Sequence, residues 1–133
     1  MIEFVYIGAE GAKRVQFDDA LDENQKYEEI RRMIDCRCIG ISDRKIGRKH
    51  FSIVYDDEFL LNGKAENGYL SGLSTVYEDF TGYMNREQLF GNIIITKYSA
   101  KTGNNIGLTD KQIEEVMNNI VTFRGHDCLM YGF

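Results

Sequence analysis

One run of β-branched residues constrains the fold of this chain more than any other stretch. The sequence LFGNIIITKY covers residues 89–98, and its isoleucines favour a buried strand. Gly91 and Asn92 precede the isoleucines, although strands avoid both residue types. Two interpretations are open: a plain turn before the strand, or a place where the backbone and an amide side chain approach a ligand.

The remaining pattern predicts an α+β domain in which two helices pack on one side of a mostly antiparallel sheet. The length of 133 residues suits a single domain, residues 1–133. Apolar residues at helical spacing predict a first helix from Asp22 to about Met33, and a capping box at Thr109 and Gln112 predicts a second over residues 110–120. Strands are expected at residues 2–7, 13–17, 36–41, 50–55, 59–62, 92–98 and 128–133. Residues 43–49 are expected to form a basic turn, residues 56–58 an acidic turn, and residues 63–82 an irregular segment.

Composition excludes several classes of function. Sixteen basic and 21 acidic residues give a net charge of −5, which argues against non-specific binding of DNA or RNA. No apolar run approaches the roughly 20 residues that span a bilayer, and the N-terminus has no basic region of a signal peptide. The three cysteines are a poor disulfide framework. We therefore expect a cytoplasmic protein with no membrane association.

No sequence pattern demands a metal or a covalent catalyst. The chain has two histidines, His50 and His126, and no zinc-binding spacing of histidine and cysteine. It has no Walker loop, no GxSxG and no HExxH motif. His126 and Cys128 would share one face of a strand, which is a thin signal for catalysis. We expect no catalytic residue, no metal site and no cofactor.

Three groups of residues point to ligand binding. A basic patch in an acidic protein suits phosphate, and it consists of Arg44, Lys45, Arg48, Lys49 and His50. Aromatic rings that can stack on purines crowd one stretch: Tyr69, Tyr77, Phe80, Tyr83 and Phe90. Arg86 and Asn92 flank Phe90-Gly91, so a guanidinium, a ring and an amide lie close together in sequence. The plainer interpretations are an exposed loop, a small satellite core and a turn residue that bonds its own backbone.

The order of these segments resembles a known family. An apolar helix and a strand come first, followed by the segments LNGKAENGYLSGL and LFGNIIIT and then by a helix with the sequence LTDKQIEEVM. This order is similar to that of a phage- and plasmid-borne domain of unknown function. More narrowly, the chain resembles the first family of phage Thoeris anti-defence proteins. Members of that family are sponges and not enzymes. They bind cyclic ADP-ribose isomers made by bacterial TIR-domain defence proteins and hold them unmodified.

The resemblance implies a homo-oligomer built from dimers in the cytoplasm of an infected bacterial host. It implies that Asn92 and Phe90 carry much of the ligand contact, and the further candidates are Arg86, Tyr83, Gly91 and Arg48. Some members also bind cyclic oligonucleotides at a separate site, for which Arg31 and Arg124 are the candidates here.

Two rival functions stay open at this stage. One is a protein-binding inhibitor that acts through an acidic surface, centred on Asp56, Asp57 and Glu58. The other is a hydrolase of a nucleotide signal.

Overall fold

The computed structural model describes residues 2–18, 20–46, 49–70, 76–78, 84–86 and 88–122, with the backbone alone at 69–70, 76–78, 84–86, 88 and 121. The elements are β1 (Ile2–Gly8), β2 (Gly11–Phe17), α1 (Glu23–Ile34), β3 (Ile39–Ile46), β4 (Lys49–Asp56), β5 (Glu66–Leu70), β6 (Val76–Glu78), β7 (Met84–Arg86), β8 (Gln88–Phe90), β9 (Ile93–Thr96), α2 (Asp110–Met117) and β10 (Ile120–Thr122). Neither helix in this part of the chain has the length and apolar character needed to cross a membrane.

A five-stranded sheet with the order β2-β1-β9-β4-β3 organises the fold. The isoleucine run forms its central strand, because Ile95 pairs with Val5 of β1 on one side and with Ile53 of β4 on the other. These pairings are antiparallel, and all four residues of β9 are buried. A strand that is covered on both faces needs apolar side chains at successive positions, which explains the uninterrupted isoleucines.

Helix α1 covers one face of this sheet. The carboxylate of Asp22 accepts a hydrogen bond from the backbone N–H of Gln25 at 2.8 Å, and the Gln25 side chain accepts from the Asp22 N–H at 2.9 Å. This capping box starts the helix where the sequence predicts it. The apolar stripe of α1 then packs against the sheet, in a core that contains Phe4, Phe17, Ile30, Ile34, Val54 and Ile94.

Helix α2 and a second sheet belong to the core on the opposite face. The second sheet is three-stranded, with the order β10-β5-β8, and β6 and β7 form a separate two-stranded pair. The capping box of α2 is present at Thr109 and Gln112, as predicted. This core contains Leu89 of β8, Ile120 of β10 and the apolar stripe of α2, which consists of Ile113, Val116 and Met117. The main sheet contributes Val5, Ile7, Ile53, Ile93 and Ile95 to it.

The predicted α+β class and the antiparallel sheet are confirmed, but the prediction that both helices pack on one side is wrong. Ile94 packs with α1, whereas Ile93 and Ile95 pack with α2. Successive residues of a strand point to opposite faces, so one helix lies on each side. The one-sided prediction left a face of the sheet without cover, which a run of isoleucines does not allow.

Five local predictions also differ from the structure. The second helix ends at Met117, and Ile120, the last residue predicted for it, begins β10. Residues 59–62 form a turn, because the buried carboxylate of Asp56 accepts from the backbone N–H of Glu58 at 2.8 Å and from Asn62 Nδ2 at 2.7 Å. The basic segment is mostly strand, since β3 continues to Ile46 and β4 begins at Lys49. The strand predicted at residues 36–41 starts only at Ile39. The stretch expected to be irregular contains β5 and β6, while residues 128–133 lie outside the described residues.

Candidate functional site

An aromatic cavity lies beside the edge strand of the main sheet. The described residues that line it are Arg44, Ile53, Tyr55, Phe59, Leu89, Phe90 and Ile93, and its volume is about 250 Å³. Strands β3 and β4 supply one wall, the turn after β4 supplies Phe59, and β8 and the start of β9 supply the other wall. The cavity therefore joins the main sheet to the second sheet.

The strand register explains how an arginine reaches this cavity. Arg44 of β3 lies opposite Phe51 of β4, and Ser42 lies opposite Ile53. Directly opposed residues of an antiparallel pair share one face. Because Phe51 and Ile53 belong to the core on the α2 face, Arg44 and Ser42 point to that same face from the edge of the sheet. One cation, whose Nη1 also donates to the Asp43 carbonyl at 2.8 Å, is thereby placed at the rim of an otherwise aromatic and aliphatic cavity.

Two stacked rings form the flattest part of the wall. The rings of Phe59 and Phe90 are 5.1 Å apart between centroids, with an interplanar angle of 15°. Phe59 is held by the Asp56-capped turn, and Phe90 ends β8 opposite Glu66 of β5. Both rings are only half-buried, so an aromatic ligand has apolar surface available to stack on.

The Gly-Asn pair at the start of the isoleucine run serves the fold. Gly91 has φ +71°, its N–H donates to the Ala65 carbonyl at 2.8 Å, and its own carbonyl accepts from Asn67 Nδ2 at 2.7 Å. Asn92 Nδ2 donates to the Met33 carbonyl at 3.1 Å, near the end of α1 on the other face of the sheet. The geometry thus supports the interpretation as a turn, with both backbone groups of Gly91 and the amide donor of Asn92 already engaged.

Of the predicted ligand residues, Phe90 lines the cavity. Gly91 and Asn92 do not, and Arg86 lies in β7, where its backbone pairs with Val76. Tyr83, Arg48 and Arg124 lie outside the described residues. The ligand roles of all these residues stay predictions.

The aromatic lining residues that sequence reasoning missed are Tyr55 and Phe59. The sequence predicted a short strand at Phe59. The local signal for a turn is Asp56, which can bond the backbone two residues on, followed by Gly63, which suits the positive φ at the end of a turn. No local signal pairs Phe59 with Phe90, since they meet only through the contact between the two sheets. Arg44 was predicted as a member of the basic patch that suits phosphate, but Arg48 was the member of that patch chosen as a ligand residue.

The predicted second-site residue Arg31 lies in a polar cleft at the C-terminal end of α1. The cleft has a volume of about 560 Å³ and is lined by Arg31, Asp35, Cys36, Arg37, Glu58, Asn62 and Lys64. Each of its cations already has a partner. Arg31 pairs with Glu28 at 2.7 Å, Arg37 with Glu58 at 2.9 Å, and Lys64 Nζ donates to the Asp35 carbonyl at 2.7 Å. An anion would have to replace these partners to bind here.

The described part of the chain brings together no group of three potential metal ligands among His, Cys, Asp and Glu. Burial raises the pKa of the Cys36 thiol to about 11, and the charge of Asp56 adds to the effect. A raised thiol pKa means less thiolate at neutral pH, so Cys36 is a poor nucleophile.

Residues 4–120 match the sequence profile of a family described as Domain of unknown function (DUF3846). The match covers most of the chain, including every described residue of the cavity, and the chain belongs to this family. No curated protein and no solved structure matches the chain.

Proposed function

We propose that this member of the DUF3846 family binds a purine nucleotide in the aromatic cavity and holds it without cleaving it. The observation that carries the proposal is the joint placement of the stacked Phe59 and Phe90 rings and Arg44 around one cavity. A base stacked on aromatic rings gains on the order of 1–3 kcal/mol. A guanidinium can pair two oxygens of a phosphate at once.

The ligand we propose is a cyclic ADP-ribose isomer, and the role we propose is to withdraw this signal from TIR-dependent bacterial immunity. The resemblance to the Thoeris anti-defence family supports this ligand, and the composition of the cavity is compatible with it. Sequestration needs burial, stacking and a cation for the pyrophosphate. The described lining residues supply these three contributions.

The size of the cavity indicates how such a ligand would lie. A volume of about 250 Å³ is slightly below the roughly 300–1,000 Å³ of pockets that enclose a whole small-molecule ligand. It suits a base with part of its ribose, with the pyrophosphate at the rim beside Arg44. The remainder of the ligand would protrude, and a second subunit of a dimer would bury it.

The direct test is calorimetric titration of the purified protein with cyclic ADP-ribose isomers, followed by denaturation and chromatography of the released ligand. We expect tight binding and recovery of unaltered ligand. Recovery of a changed product would make the protein a hydrolase. Absence of heat with every isomer would contradict the proposal.

The contact with phosphate is tested by a matched pair of variants. Arg44→Ala and Lys45→Ala remove the same charge from adjacent residues of β3, but only Arg44 points toward the cavity. Loss of a charged hydrogen bond, about 1.5–3 kcal/mol, should weaken binding by at least tenfold in Arg44→Ala. Lys45→Ala should bind as the unmodified protein does. Equal loss in both variants would indicate a general charge effect and contradict a specific contact.

Phe90→Ala removes one of the two stacked rings and tests the proposed base contact. We expect its affinity to fall by tenfold or more, in line with the roughly 1–3 kcal/mol of a stacked base. Leu60→Ala is the control, because Leu60 adjoins Phe59 in sequence but is 78% exposed and does not line the cavity. Unchanged affinity in a folded Phe90→Ala variant would exclude this cavity as the site.

The alternative of a protein-binding inhibitor receives no support from the acidic turn. Asp56 is fully buried, and Glu58 pairs with Arg37 at 2.9 Å. Asp57 is therefore the one exposed and unpaired member that the turn offers to a partner surface. Asp57→Lys separates the two functions. The variant should bind the nucleotide as the unmodified protein does, whereas an inhibitor that acts through its acidic surface would lose affinity for its protein partner.

A further inference from the structure

We infer that a hydroxyl pair, formed by the cavity-lining Tyr55 and its hydrogen-bond partner Ser42, reads the polar edge of the bound base through the Tyr55 hydroxyl and accepts either an amino donor or an oxo acceptor. The inference rests on the proposed function and names the group on the ligand that the cavity selects. Tyr55 lines the cavity, and its hydroxyl lies 3.2 Å from Ser42 Oγ.

The position of the Tyr55 ring depends on Gly40. Gly40 lies directly opposite Tyr55 in the ladder between β3 and β4. A Cβ at Gly40 would lie 2.7–2.9 Å from the Cζ, Cε2 and hydroxyl oxygen of Tyr55, so the hydroxyl end of the ring lies close against the backbone of β3. Any larger residue at this position would displace the ring and its hydroxyl. Gly40 is thus a positioning residue for the hydroxyl pair.

The pair can switch between donating and accepting a hydrogen bond by rotation of its two hydroxyl hydrogens alone. Either oxygen can donate in the bond between Tyr55 and Ser42. One proton is used between the two oxygens, which leaves a second proton and lone pairs for a ligand. A base with an amino group meets an acceptor, and a base with an oxo group meets a donor.

Among the described lining residues, only Arg44 and Tyr55 have polar side chains. Ile53, Leu89 and Ile93 offer no hydrogen bond to a base. A polar group of the base that faces these side chains would lose its water without a replacement, which costs free energy. The orientation with its polar edge toward Tyr55 is therefore favoured. A purine without an exocyclic group offers only its ring nitrogens on this edge and lacks the hydrogen bond of the amino or oxo group.

The test is titration of the full chain with three probes: AMP, which carries an amino group, IMP, which carries an oxo group, and purine riboside 5′-monophosphate, which carries neither. We expect AMP and IMP to bind within about threefold of each other and the third probe about tenfold more weakly, the effect of one hydrogen bond. Tyr55→Phe keeps the ring and removes the hydroxyl, so it should bind all three alike. Gly40→Ala should lose the preference in the same way.

Tyr27→Phe is the matched control, because it removes an exposed tyrosine hydroxyl from α1 and should leave the preference unchanged. If Tyr55→Phe keeps the ratio of the unmodified protein, the inference is overturned while nucleotide binding stands. A more than tenfold preference between AMP and IMP, or equal binding of all three probes by the unmodified protein, also overturns it. If the unmodified protein binds none of the probes, the inference falls, and the titration with cyclic ADP-ribose isomers decides separately whether the proposed nucleotide site stands.

Discussion

At the scale of single residues, Asn92 shows how a side chain that suits a ligand can be used by the fold. The last carbonyls of a helix have no partner within the helix. In α1, the backbone N–H of Asp35 donates to Arg31 and Arg32, and Asn92 Nδ2 donates to Met33. Asn92 therefore ties the end of α1 to the start of β9.

We expect Asn92→Ala to destabilise the protein and to leave the cavity unchanged. Loss of the bond to Met33 should lower the free energy of unfolding by about 1–2 kcal/mol. Nucleotide affinity should change by less than about twofold, because Asn92 does not line the cavity and remote effects are small. Denaturant titration and calorimetry on the same variant measure both quantities. A large loss of affinity at unchanged stability would restore Asn92 as a ligand residue.

The two cysteines next to α1 should differ in reactivity. Burial raises the pKa of Cys36 to about 11, whereas Cys38 is exposed. Only the thiolate is alkylated, so Cys36 should react slowly at pH 8 and about tenfold faster for each pH unit up to pH 10. Peptide mapping after treatment with iodoacetamide, in a Cys128→Ser background, measures the two rates. Equal rates at pH 8 would show that Cys36 is not shielded.

At the scale of elements, the connection after β9 returns to β1 and is hydrogen-bonded to it. The N–H of Leu108 donates to the Glu3 carbonyl at 2.7 Å. Asn105 Oδ1 accepts from Thr96 Oγ1 at 2.8 Å and from the Gly107 N–H at 3.0 Å. These bonds hold Gly107 close to β1. A Cβ on residue 107 would lie 2.6 Å from Ile2 Cγ2 and 2.8 Å from the Glu3 carbonyl oxygen.

Gly107→Ala should therefore destabilise the protein far more than Gly103→Ala. Both glycines have positive φ, +68° and +74°, so alanine carries a similar backbone cost of about 1–2 kcal/mol at each. Only Gly107 also has neighbours in the way, since a Cβ at Gly103 meets nothing within 4 Å. We expect a total of about 3 kcal/mol or more for Gly107→Ala by denaturant titration. Similar losses for the two variants would mean that backbone conformation alone requires glycine.

Elements with local signals were predictable, and elements set by distant contacts were not. The capping boxes at Asp22 and Thr109 lie within a few residues of the helices they start, so both helix starts were correct. The isoleucine run identified β9 for the same reason. The turn at residues 59–62 depends on Asp56, which was predicted in an exposed acidic turn but is buried and bonds to the turn. The stacking of Phe59 on Phe90 depends on how the two sheets meet. The candidate cavity was therefore only partly predictable, through Phe90 and the basic patch.

At the scale of the whole molecule, β9 connects two separate cores. Ile94 packs with α1 in one core, and Ile95 packs with α2 in the other. Every backbone ladder of the main sheet lies between these cores, and β9 pairs with β1 and β4 at its centre. Loss of either core would expose an apolar face of the same strand. The two cores should consequently be stable only together.

We expect Ile94→Ala and Ile95→Ala each to lower the free energy of unfolding by about 2–5 kcal/mol, the usual cost of a buried isoleucine cut back to alanine. Ile106→Ala is the control, because Ile106 is 54% exposed and a surface change costs about 0.5 kcal/mol or less. The decisive measurement is hydrogen exchange. If the cores unfold together, Ile94→Ala should speed exchange of the α2 amides as much as that of the α1 amides, although Ile94 lies in the core of α1 and not in that of α2. Faster exchange confined to α1 would show that each face of the sheet opens independently, and that the central strand does not couple them.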